Sequence, residues 1–440
     1  MKNILRNKSV FAKIITAAMI FIMILSFSGC DTSNGPDSKN AGDPSFQSGK
    51  DDINADADIG GGTKNPGTTK PPDDGTTRLS FLAAGDNIMH LVMIEDAIAR
   101  VNGSNEKYNF IDMYKDVDSL IKSADIAFVN VETPIAGDQF PPSGYANFNT
   151  PKENAFALIE TGFDIVNIAN NHMLDKFEQG YKNQLDFWDT QPVLQIGGFR
   201  NKQDFENIRI YEKNGVSIAF LSYTYGTNEF LPAASELVVP VIEYATVERQ
   251  VKAAKPLADL LFVVMHWGEE DIFNASQTQK NLARMMADNG VDVIIGMHPH
   301  VLQETEWLSR PDGGKTLVTY SIGNMISGML GAQNMLGGFL SFDIVKTEKN
   351  TAIENARIIP VITHYRHQVG RTGPYLPVYD DKSHQNGRLG FQVYRFEDYT
   401  RELAAEHGIL RFDSAFSYDY IKSLILQHIP SEFLGDFYKD

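Results

Sequence analysis

The chain of 440 residues contains a single cysteine, Cys30, and so has no intrachain disulfide. An extracellular fold built from it must therefore be stabilised by its buried core alone. Positive charge is also scarce: 39 Lys and Arg residues against 56 Asp and Glu residues give a net charge of −17. A surface of that sign repels nucleic acid and anionic lipid, so we expect no nucleic-acid partner.

The N-terminus carries one long hydrophobic run, at residues 14–27, preceded by four basic residues and no acidic one. This pattern is typical of a secretory signal peptide. An uncleaved membrane helix is the alternative, because about 20 apolar residues are enough to span a bilayer. Cys30 directly follows the small residues Ser28 and Gly29, although Phe27 replaces the leucine preferred three residues before the cysteine. Residues 1–30 are therefore predicted to be a bacterial lipoprotein signal that anchors Cys30 to the extracytoplasmic face of the cell membrane.

Composition divides the rest of the chain. Residues 31–78 consist mainly of Asp, Gly, Ser, Thr, Asn, Lys and Pro, with Phe46 as the one aromatic residue. Such a stretch cannot bury a core and is predicted to be a disordered tether. Residues 79–345 are predicted to form one domain, and residues 346–440 a C-terminal extension or cap packed on it. Without the four basic residues of the signal, the net charge becomes −21.

Short apolar runs alternate with segments of helical spacing, which predicts an α/β fold. The predicted strands cover residues 79–86, 126–132, 163–171, 217–225, 260–268, 291–300 and 316–324. The predicted helices include residues 153–162, 247–258 and 279–290.

Polar residues cluster at or just beyond the carboxyl ends of these predicted strands. They are Asp86, Glu132, Asn170, Asn171, His172, His266, His298 and His300. In open α/β sheets that edge is where ligands bind. Carboxylate, amide and imidazole groups without thiolates suit Zn, Mn or Fe, and several strand ends supplying them together are typical of a two-ion hydrolytic site.

Each residue also has a structural interpretation when taken alone. Asp86 could cap a helix that begins near Ile88, and Glu132 could be an ordinary loop carboxylate. The run "NIANNHMLD" could be an Asn-rich turn in which Asp175 acts as a cap. His266 could be a core histidine beside Trp267. The presence of ligand-type residues at several separate strand ends favours the metal site.

Six stretches of the sequence resemble a known family. They read "AAGDNIMH", "FVNVETPI", "NIANNHMLD", "VVMHWGEE", "IIGMHPHVLQ" and "TYSIGNMI", and they cover about residues 79 to 345. In this order they resemble the poly-γ-glutamate capsule-synthesis (CapA-like) proteins, a branch of the calcineurin-like metallophosphoesterase superfamily. The resemblance implies a four-layer αββα sandwich with its site on one rim.

The resemblance also implies roles for individual residues. Two divalent transition-metal ions would be held by Asp86, Glu132 as the bridging carboxylate, Asn171, His266, His298 and His300. His172 would be the acid that protonates a leaving group, paired with Asp175. Contacts to substrate or to the ligands would come from His90, Asn170, Glu269, Gln303 and Asn324.

Two positions depart from the family pattern. Superfamily phosphoesterases begin with Asp-x-His, whereas Ile88 stands two residues after Asp86 here. One metal position is therefore expected to be weaker or differently built. Met325 stands where the family more often has Phe, which is a conservative change.

The expected function is that of a lipid-anchored protein which makes or processes poly-γ-glutamate or another cell-envelope polymer through a metal-dependent hydrolase-type site. Two alternatives stay open: a general secreted phosphoesterase, and a non-catalytic accessory subunit of a membrane polymer synthase or exporter. A polyanionic polymer would need bridging ions or a local basic cluster, because the overall charge repels it. The candidates for that cluster are Arg357, Arg366, Arg371, His364 and His367.

Overall fold

A computed structural model of the protein describes residues 75–103, 106–368 and 387–438. The predicted signal peptide with Cys30, nearly all of the predicted tether, and Arg371 lie outside these residues. Within the described ranges, no helix has both the length and the apolar character that a membrane span requires.

Fourteen strands are present in the described part of the chain. They are β1 (Thr77–Asn87), β2 (Ile126–Val131), β3 (Ile165–Asn167), β4 (Leu194–Ile196), β5 (Arg209–Lys213), β6 (Val216–Thr224), β7 (Leu260–His266), β8 (Val293–Met297), β9 (Thr305–Ser309), β10 (Lys315–Thr319), β11 (Asn324–Ile326), β12 (Leu336–Lys346), β13 (Thr351–His367) and β14 (Arg388–Arg395).

The described residues also form nine α-helices. They are α1 (Leu91–Ala99), α2 (Asp118–Ser123), α3 (Lys152–Thr161), α4 (Phe177–Trp188), α5 (Lys202–Glu206), α6 (Tyr244–Ala254), α7 (Gln277–Asp288), α8 (Arg401–Glu406) and α9 (Tyr418–His428). Single 3-10 turns lie at Ile111–Met113, Lys255–Leu257, Ala332–Met335, Phe396–Asp398, Gly408–Arg411, Ser431–Phe433 and Asp436–Tyr438.

The strands form two mixed sheets. The first has the order β14-β13-β12-β1-β2-β3-β4, with β11 paired to the end of β1. Strands β1 to β4 are parallel to one another, and β12 to β14 run antiparallel to their neighbours. The second sheet has the order β5-β6-β7-β8-β10-β9, in which only the edge strands β5 and β9 are antiparallel. Parallel strands from both sheets therefore present their carboxyl ends for a site.

The two sheets pack face to face with helices outside them. The ring of Phe81 on β1 meets that of Phe262 on β7 edge to face, 5.2 Å between centroids. Because strand side chains alternate between faces, Val263 on β7 points the other way, into a second apolar cluster with Val251 of α6 and Ala283 of α7. Helices α3 and α4 bury their apolar faces in the main core cluster, which includes the inner faces of both sheets. The predicted α/β fold and its four-layer αββα arrangement are confirmed.

A glycine sets the junction between β1 and β11. A Cβ atom at Gly85 would lie 1.9 Å from the carbonyl oxygen of Gly323, so no other residue allows the two backbones to approach so closely. The pairing of β1 with β2 shifts register at the same point, between Ala84 and Asp86. Asp86 is thereby aligned with Asn324.

Most predicted strands and helices are confirmed in position, but two strands differ in extent. The predicted strand 163–171 is limited to β3, because the asparagine-rich sequence that follows forms a turn in which the side chain of Asn170 accepts a hydrogen bond from the His172 backbone N–H. The predicted strand 316–324 is divided into β10 and β11. Between them the chain turns at Gly323, with a φ of +64°, and passes from the second sheet to the first.

The C-terminal region contributes strands to the first sheet. β13 pairs with β12 from Leu336 opposite Ile362 to Lys346 opposite Thr351, and β14 pairs with β13 in turn. The predicted domain boundary between residues 345 and 346 therefore lies at the end of β12, and the strand that pairs with β12 lies beyond it. The stretch "TGPYLPVYDD", which belongs to the region predicted to be a C-terminal extension or cap, lies outside the described residues.

Candidate functional site

Five ligand-type side chains from both sheets meet at the carboxyl ends of the parallel strands. Asp86 lies on β1, Glu132 follows β2, His266 ends β7, and His298 and His300 follow β8. All five are buried, with exposed fractions of 4% or less. Carboxyl ends of parallel strands are the usual ligand-binding edge of an α/β sheet. The structure thus brings together residues that are widely separated in the sequence.

Glu132 lies at the centre of this group. Its Oε1 atom is 3.7 Å from Nε2 of His266 and 3.7 Å from Nε2 of His300. Two sets of potential ligand atoms share it, Glu132 with His266 and His298, and Glu132 with Asp86 and His300, each within 4.8 Å. Glu132 is therefore the residue that the two sets have in common.

The Glu132 carboxylate has no hydrogen-bond partner for either oxygen among the described residues, although both oxygens are buried. Nδ1 of His298 is likewise buried without such a partner in this part of the chain. A buried carboxylate without hydrogen-bond partners needs compensation from a proton or a cation. Divalent cations would supply that compensation, and the mixed oxygen and imidazole donors are those that Zn, Mn and Fe accept. The residues therefore fit the implied metal centre.

Asp86 is oriented by a chain of polar side chains. Its Oδ1 accepts a hydrogen bond of 2.7 Å from the Asn130 amide, and Asn130 accepts one of 2.7 Å from Asn167. Oδ2 of Asp86 lies 3.2 Å from Nδ1 of His300 and 3.3 Å from the backbone nitrogen of His298. Asn130 and Asn167 lie inside predicted strands. The sequence alone does not show whether a polar residue in such a strand faces the interior or the solvent.

The backbone of the "HPH" motif is strained. His298 and His300 have φ angles of +96° and +57°, a region that non-glycine residues seldom adopt and that costs about 1 to 3 kcal/mol for each. The resulting turn after β8 places the His298 ring 4.8 Å from that of His266 and 5.7 Å from that of His300. The two histidines thus reach the cluster although they are only two residues apart.

Burial and charge act differently on the histidines. Burial lowers the pKa of His298 to about 3 and holds the pKa of His266 well below its ordinary value, so both rings are neutral near pH 7 and carry a lone pair for a cation. Burial also lowers the pKa of His300, but the carboxylates of Glu132 and Asp86 outweigh it and raise this pKa to about 10. A divalent cation held by Asp86, Glu132 and His300 would take the place of the His300 proton.

A second polar group contains the predicted acid. Nδ1 of His172 lies 2.8 Å from Oδ2 of Asp175, and the same oxygen accepts a 2.7 Å hydrogen bond from the Phe148 backbone N–H. The side-chain nitrogen of Asn228 lies 3.2 Å from Nδ1 of His172. The structure therefore brings the predicted pair together, and it adds Asn228, which carries no motif in the sequence.

The two predicted asparagines have different surroundings. Oδ1 of Asn171 is 2.9 Å from Nε2 of His266, so it lies within the ligand cluster. The amide of Asn170 donates to the Val131 carbonyl oxygen at 3.1 Å and its oxygen accepts from the His172 backbone. Asn170 thus orders the turn that presents His172.

Three of the predicted contact residues are held by hydrogen bonds to neighbouring groups. Oδ1 of Asn324 lies 3.0 Å from Nδ1 of His300. Nδ1 of His90 accepts a hydrogen bond from the Gly328 backbone N–H at 3.1 Å. Gln303 is fully buried and bridges Gln279 and the Ile272 carbonyl oxygen.

Glu269 is exposed and belongs to none of the potential metal-binding groups of the described residues, whereas its neighbour Glu270 does. Tyr225, which carries no sequence motif, places its ring 4.5 Å from that of His298.

The residues predicted to form a basic cluster are not equivalent. His364 is buried, with Nδ1 2.8 Å from the hydroxyl of Tyr399, and is therefore part of the core. Arg357 and Arg366 are exposed on β13.

Comparisons with known proteins point to one family. Residues 80–329 match the model of the bacterial capsule synthesis protein PGA_cap family. The chain is 30% identical over 227 residues to the PGA biosynthesis protein CapA of Bacillus subtilis (strain 168), covering 49% of this chain and 56% of that protein. It is 29% identical over 232 residues to the capsule biosynthesis protein CapA of Bacillus anthracis, covering 50% and 54%. The chain thus spans about half the length of the curated relatives it matches.

Among solved structures, the NAD nucleotidase of Haemophilus influenzae is similar over 71% of this chain and 55% of that chain, with 13% identity and a TM-score of 0.39. That score is too low for the similarity to bear on function.

Proposed function

Since the chain belongs to the bacterial capsule synthesis protein family PGA_cap, we propose that it makes or processes a capsule or cell-envelope polymer through a metal-dependent hydrolase-type site. The names of the two similar proteins, for PGA and capsule biosynthesis, support the polymer role. The proposed polymer is poly-γ-glutamate or a related one. The proposal includes a lipid anchor at Cys30 on the extracytoplasmic face of the membrane, where subunits of a polymer synthase or exporter would be its partners.

One observation carries the metal part of this proposal. The buried Glu132 carboxylate has no hydrogen-bond partner among the described residues and lies between two imidazoles at 3.7 Å. Proteins rarely bury an uncompensated carboxylate unless a ligand or a pKa shift neutralises it. Burial and the charge of Asp86 do raise the pKa of Glu132 well above its ordinary value. Two ions held by Asp86, Glu132, Asn171, His266, His298 and His300 would neutralise the site.

The chain's own residues would divide the chemistry between them. When bound, two divalent ions supply Lewis acidity and a hydroxide nucleophile near neutral pH. Asp175 fixes the His172 ring through Nδ1, which leaves Nε2 to donate a proton to the departing atom. The bond that is cleaved, phosphoester or amide, is decided by the substrate placed against these groups.

Metal content is the first test. The full-length protein, purified in detergent, is expected to contain about two Zn, Mn or Fe ions per chain by elemental mass spectrometry. The His298→Ala, His300→Ala double variant should lose them. His428→Ala is the matched control, because this histidine stacks on Phe273 outside the cluster. Its metal content should equal that of the native protein.

Turnover is the second test. Loaded protein is offered poly-γ-glutamate and, separately, bis-p-nitrophenyl phosphate, and release of product identifies the bond. Folded native protein that takes up no metal would refute the metal-dependent function. Metal uptake without turnover of either substrate would favour the accessory-subunit alternative.

A further inference from the structure

The two proposed metal positions differ in how many ligands the cluster offers. The position near His266 has Glu132, His298 and the Asn171 oxygen in addition to His266 itself. Among the carboxylates and imidazoles of the described residues, the group around Asp86 contains Glu132 and His300 besides Asp86. Protein zinc sites usually have four ligands, with at least three from the protein.

The segment after β1 does not supply the missing ligand. Ile88 is buried and apolar, and its backbone N–H donates to the Ile326 carbonyl oxygen at 3.0 Å. His90 has its Nδ1 occupied by the Gly328 N–H, and it belongs to no potential metal-binding group of the described residues. A fourth carboxylate or imidazole for the Asp86 position would therefore come from another element.

The loop after β7 places a carboxylate beside both histidines of the "HPH" motif. A carboxylate oxygen of Glu270 and one ring nitrogen each of His298 and His300 all lie within 4.8 Å of one another. Glu270 is exposed, whereas Glu132 is buried. Glu270 thus borders the cluster from the solvent side, whereas Asp86 and Glu132 border it from the interior.

The backbone around Glu270 is fixed against the histidine turn at two points. The Trp267 N–H donates to the Met297 carbonyl oxygen at 3.1 Å, and the Asp271 N–H donates to the Pro299 carbonyl oxygen at 2.9 Å. The side chain of Asp271 also accepts a 2.7 Å hydrogen bond from Asn334. Residues 267–271 are therefore not a free loop, and Glu270 is held facing His298 and His300.

Unpartnered buried groups point to a ligand at the same place. Both oxygens of Glu132 and Nδ1 of His298 lack hydrogen-bond partners within the described ranges. Their exposed fractions are 1% and 4%. Exposed carboxylates alone would be ordinary surface charge, but these buried groups border the same space as Glu270.

We propose that Glu270 is a metal ligand, which completes from the solvent side the coordination of the ion held by Asp86, Glu132 and His300. Glu270 takes the place of the histidine that the Asp-x-His pattern has at the position of Ile88. The inference rests on the proposed function, because it assumes that the cluster binds metal. Glu269, the neighbouring carboxylate, has no such role.

The test is a titration of metal-free full-length protein with Zn²⁺ in the presence of a competing chromophoric chelator. The Glu270→Gln variant is expected to bind the weaker of the two ions at least about tenfold less tightly, since even partners outside the ligand shell contribute about 10- to 100-fold to affinity. At a Zn²⁺ concentration too low to fill the weakened position, the variant should retain about one ion per chain. Glu269→Gln, which removes the adjacent charge, should bind both ions like the native protein.

A second readout separates coordination from charge. Mn²⁺-loaded native protein should give the exchange-coupled electron paramagnetic resonance signal of two neighbouring ions, and Glu270→Gln should give that of a single ion. Glu270→Asp, which retains a carboxylate, should restore part of the coupled signal. Circular dichroism establishes that each variant is folded.

The outcomes distinguish the two proposals. Two ions bound with native affinity by Glu270→Gln would overturn the role of Glu270 and leave the metal centre intact. Equal weakening in Glu269→Gln and Glu270→Gln would also overturn it, because the effect would then be one of general charge. No binding by the native protein would refute the metal-dependent function itself.

Discussion

At the scale of single residues, the His172 and Asp175 pair lies beside the ligand cluster without belonging to it. His172 bonds to Asp175 and Asn228, and neither His172 nor Asp175 is in a potential metal-binding group of the described residues. Phe148 packs edge-on to the His172 ring, 4.7 Å between centroids. Proton transfer and metal binding can therefore be disturbed separately.

Replacing His172 by Asn should separate the two. The variant is expected to keep both ions, because the ligands are untouched, while turnover of the protein's substrate falls by about 10²- to 10⁴-fold, the usual contribution of a general acid. Metal analysis and initial rates measured on the same sample test this. Loss of metal together with activity would instead make His172 part of the ligand set.

His407 provides a pH dependence that is independent of the metal centre. It is buried, its Nε2 lies 2.8 Å from the Thr363 carbonyl oxygen, and its Nδ1 accepts from the Ile409 N–H. Burial, with a smaller contribution from His364, lowers its pKa from 6.5 to about 3. Between these values the unfolded chain binds a proton that the folded chain does not. The free energy of unfolding should therefore fall as the pH drops below 6.5, by up to about 1.4 kcal/mol per pH unit.

The His407→Asn variant isolates this effect, because Asn retains an acceptor for the Ile409 N–H but does not titrate. At pH 7.5 we expect it to be less stable than the native protein by about 1 kcal/mol, for the lost bond to Thr363. Below pH 6.5 the difference in stability should shrink, because only the native protein contains His407 and is destabilised by its lowered pKa. Urea unfolding from pH 8 to pH 4.5 measures both curves, and parallel curves would contradict the assigned cause.

The types of the candidate ligands could be predicted from sequence, but not the choice between neighbours. Asp86, Glu132, His266, His298 and His300 stand at strand ends, where side chains of this kind are conspicuous. Glu269 and Glu270 are adjacent, and only the hydrogen bonds of the loop decide which one faces the histidines. Asn130 and Asn228 lie in a strand and a loop without any motif. Their contacts follow from pairing between distant segments, which a single sequence does not reveal.

At the scale of secondary structure, the junction of β1 and β11 depends on the absence of a side chain at position 85. Gly85→Ala would place a methyl group 1.9 Å from the Gly323 carbonyl oxygen, and the atoms it would meet belong to the backbone and cannot rotate away. We expect a loss of several kcal/mol in the free energy of unfolding, at the upper end for single substitutions.

Gly226→Ala is the control, because a Cβ atom there would meet nothing within 4 Å. Its stability should stay within about 0.5 kcal/mol of the native value. Urea unfolding followed by circular dichroism compares the two variants. A Gly85→Ala protein as stable as Gly226→Ala would mean that the strands separate without cost.

Strand positions could be predicted because buried parallel strands are continuous apolar runs. The same rule does not show where one apolar stretch of sequence contributes strands to two different sheets. The predicted strand 316–324 leaves the second sheet after Thr319 and enters the first at Asn324. Only the tight turn at Gly323 marks the passage, and a glycine inside an apolar run is equally typical of a β-bulge within a single strand.

At the scale of the whole molecule, the sequence similarity and the fold have different extents. The family model ends at residue 329, whereas the first sheet continues through β12, β13 and β14. Buried residues of the last hundred positions, such as Ile362 and Phe391, belong to the main core cluster. The C-terminal region is therefore required by the core that supports the site.

Ending the chain after Lys346 tests this dependence. The truncation removes β13 and leaves the whole length of β12 without its outer partner, as an exposed apolar edge. We expect insoluble protein, or protein that a protease degrades at least about tenfold faster than the full chain. A soluble, protease-resistant product that binds metal would show that residues 347–440 are a dispensable cap.

The arrangement of the ligands has a consequence for a chain that lacks disulfides. Asp86 and His300, whose side chains are 3.2 Å apart, are separated by more than 200 residues of sequence. An ion coordinated by both would close a very long loop and restrict the unfolded chain, as a covalent cross-link does. At the extracytoplasmic location that we propose, where disulfides commonly fulfil that task, the metal supply would then determine how long the protein survives as well as whether it works.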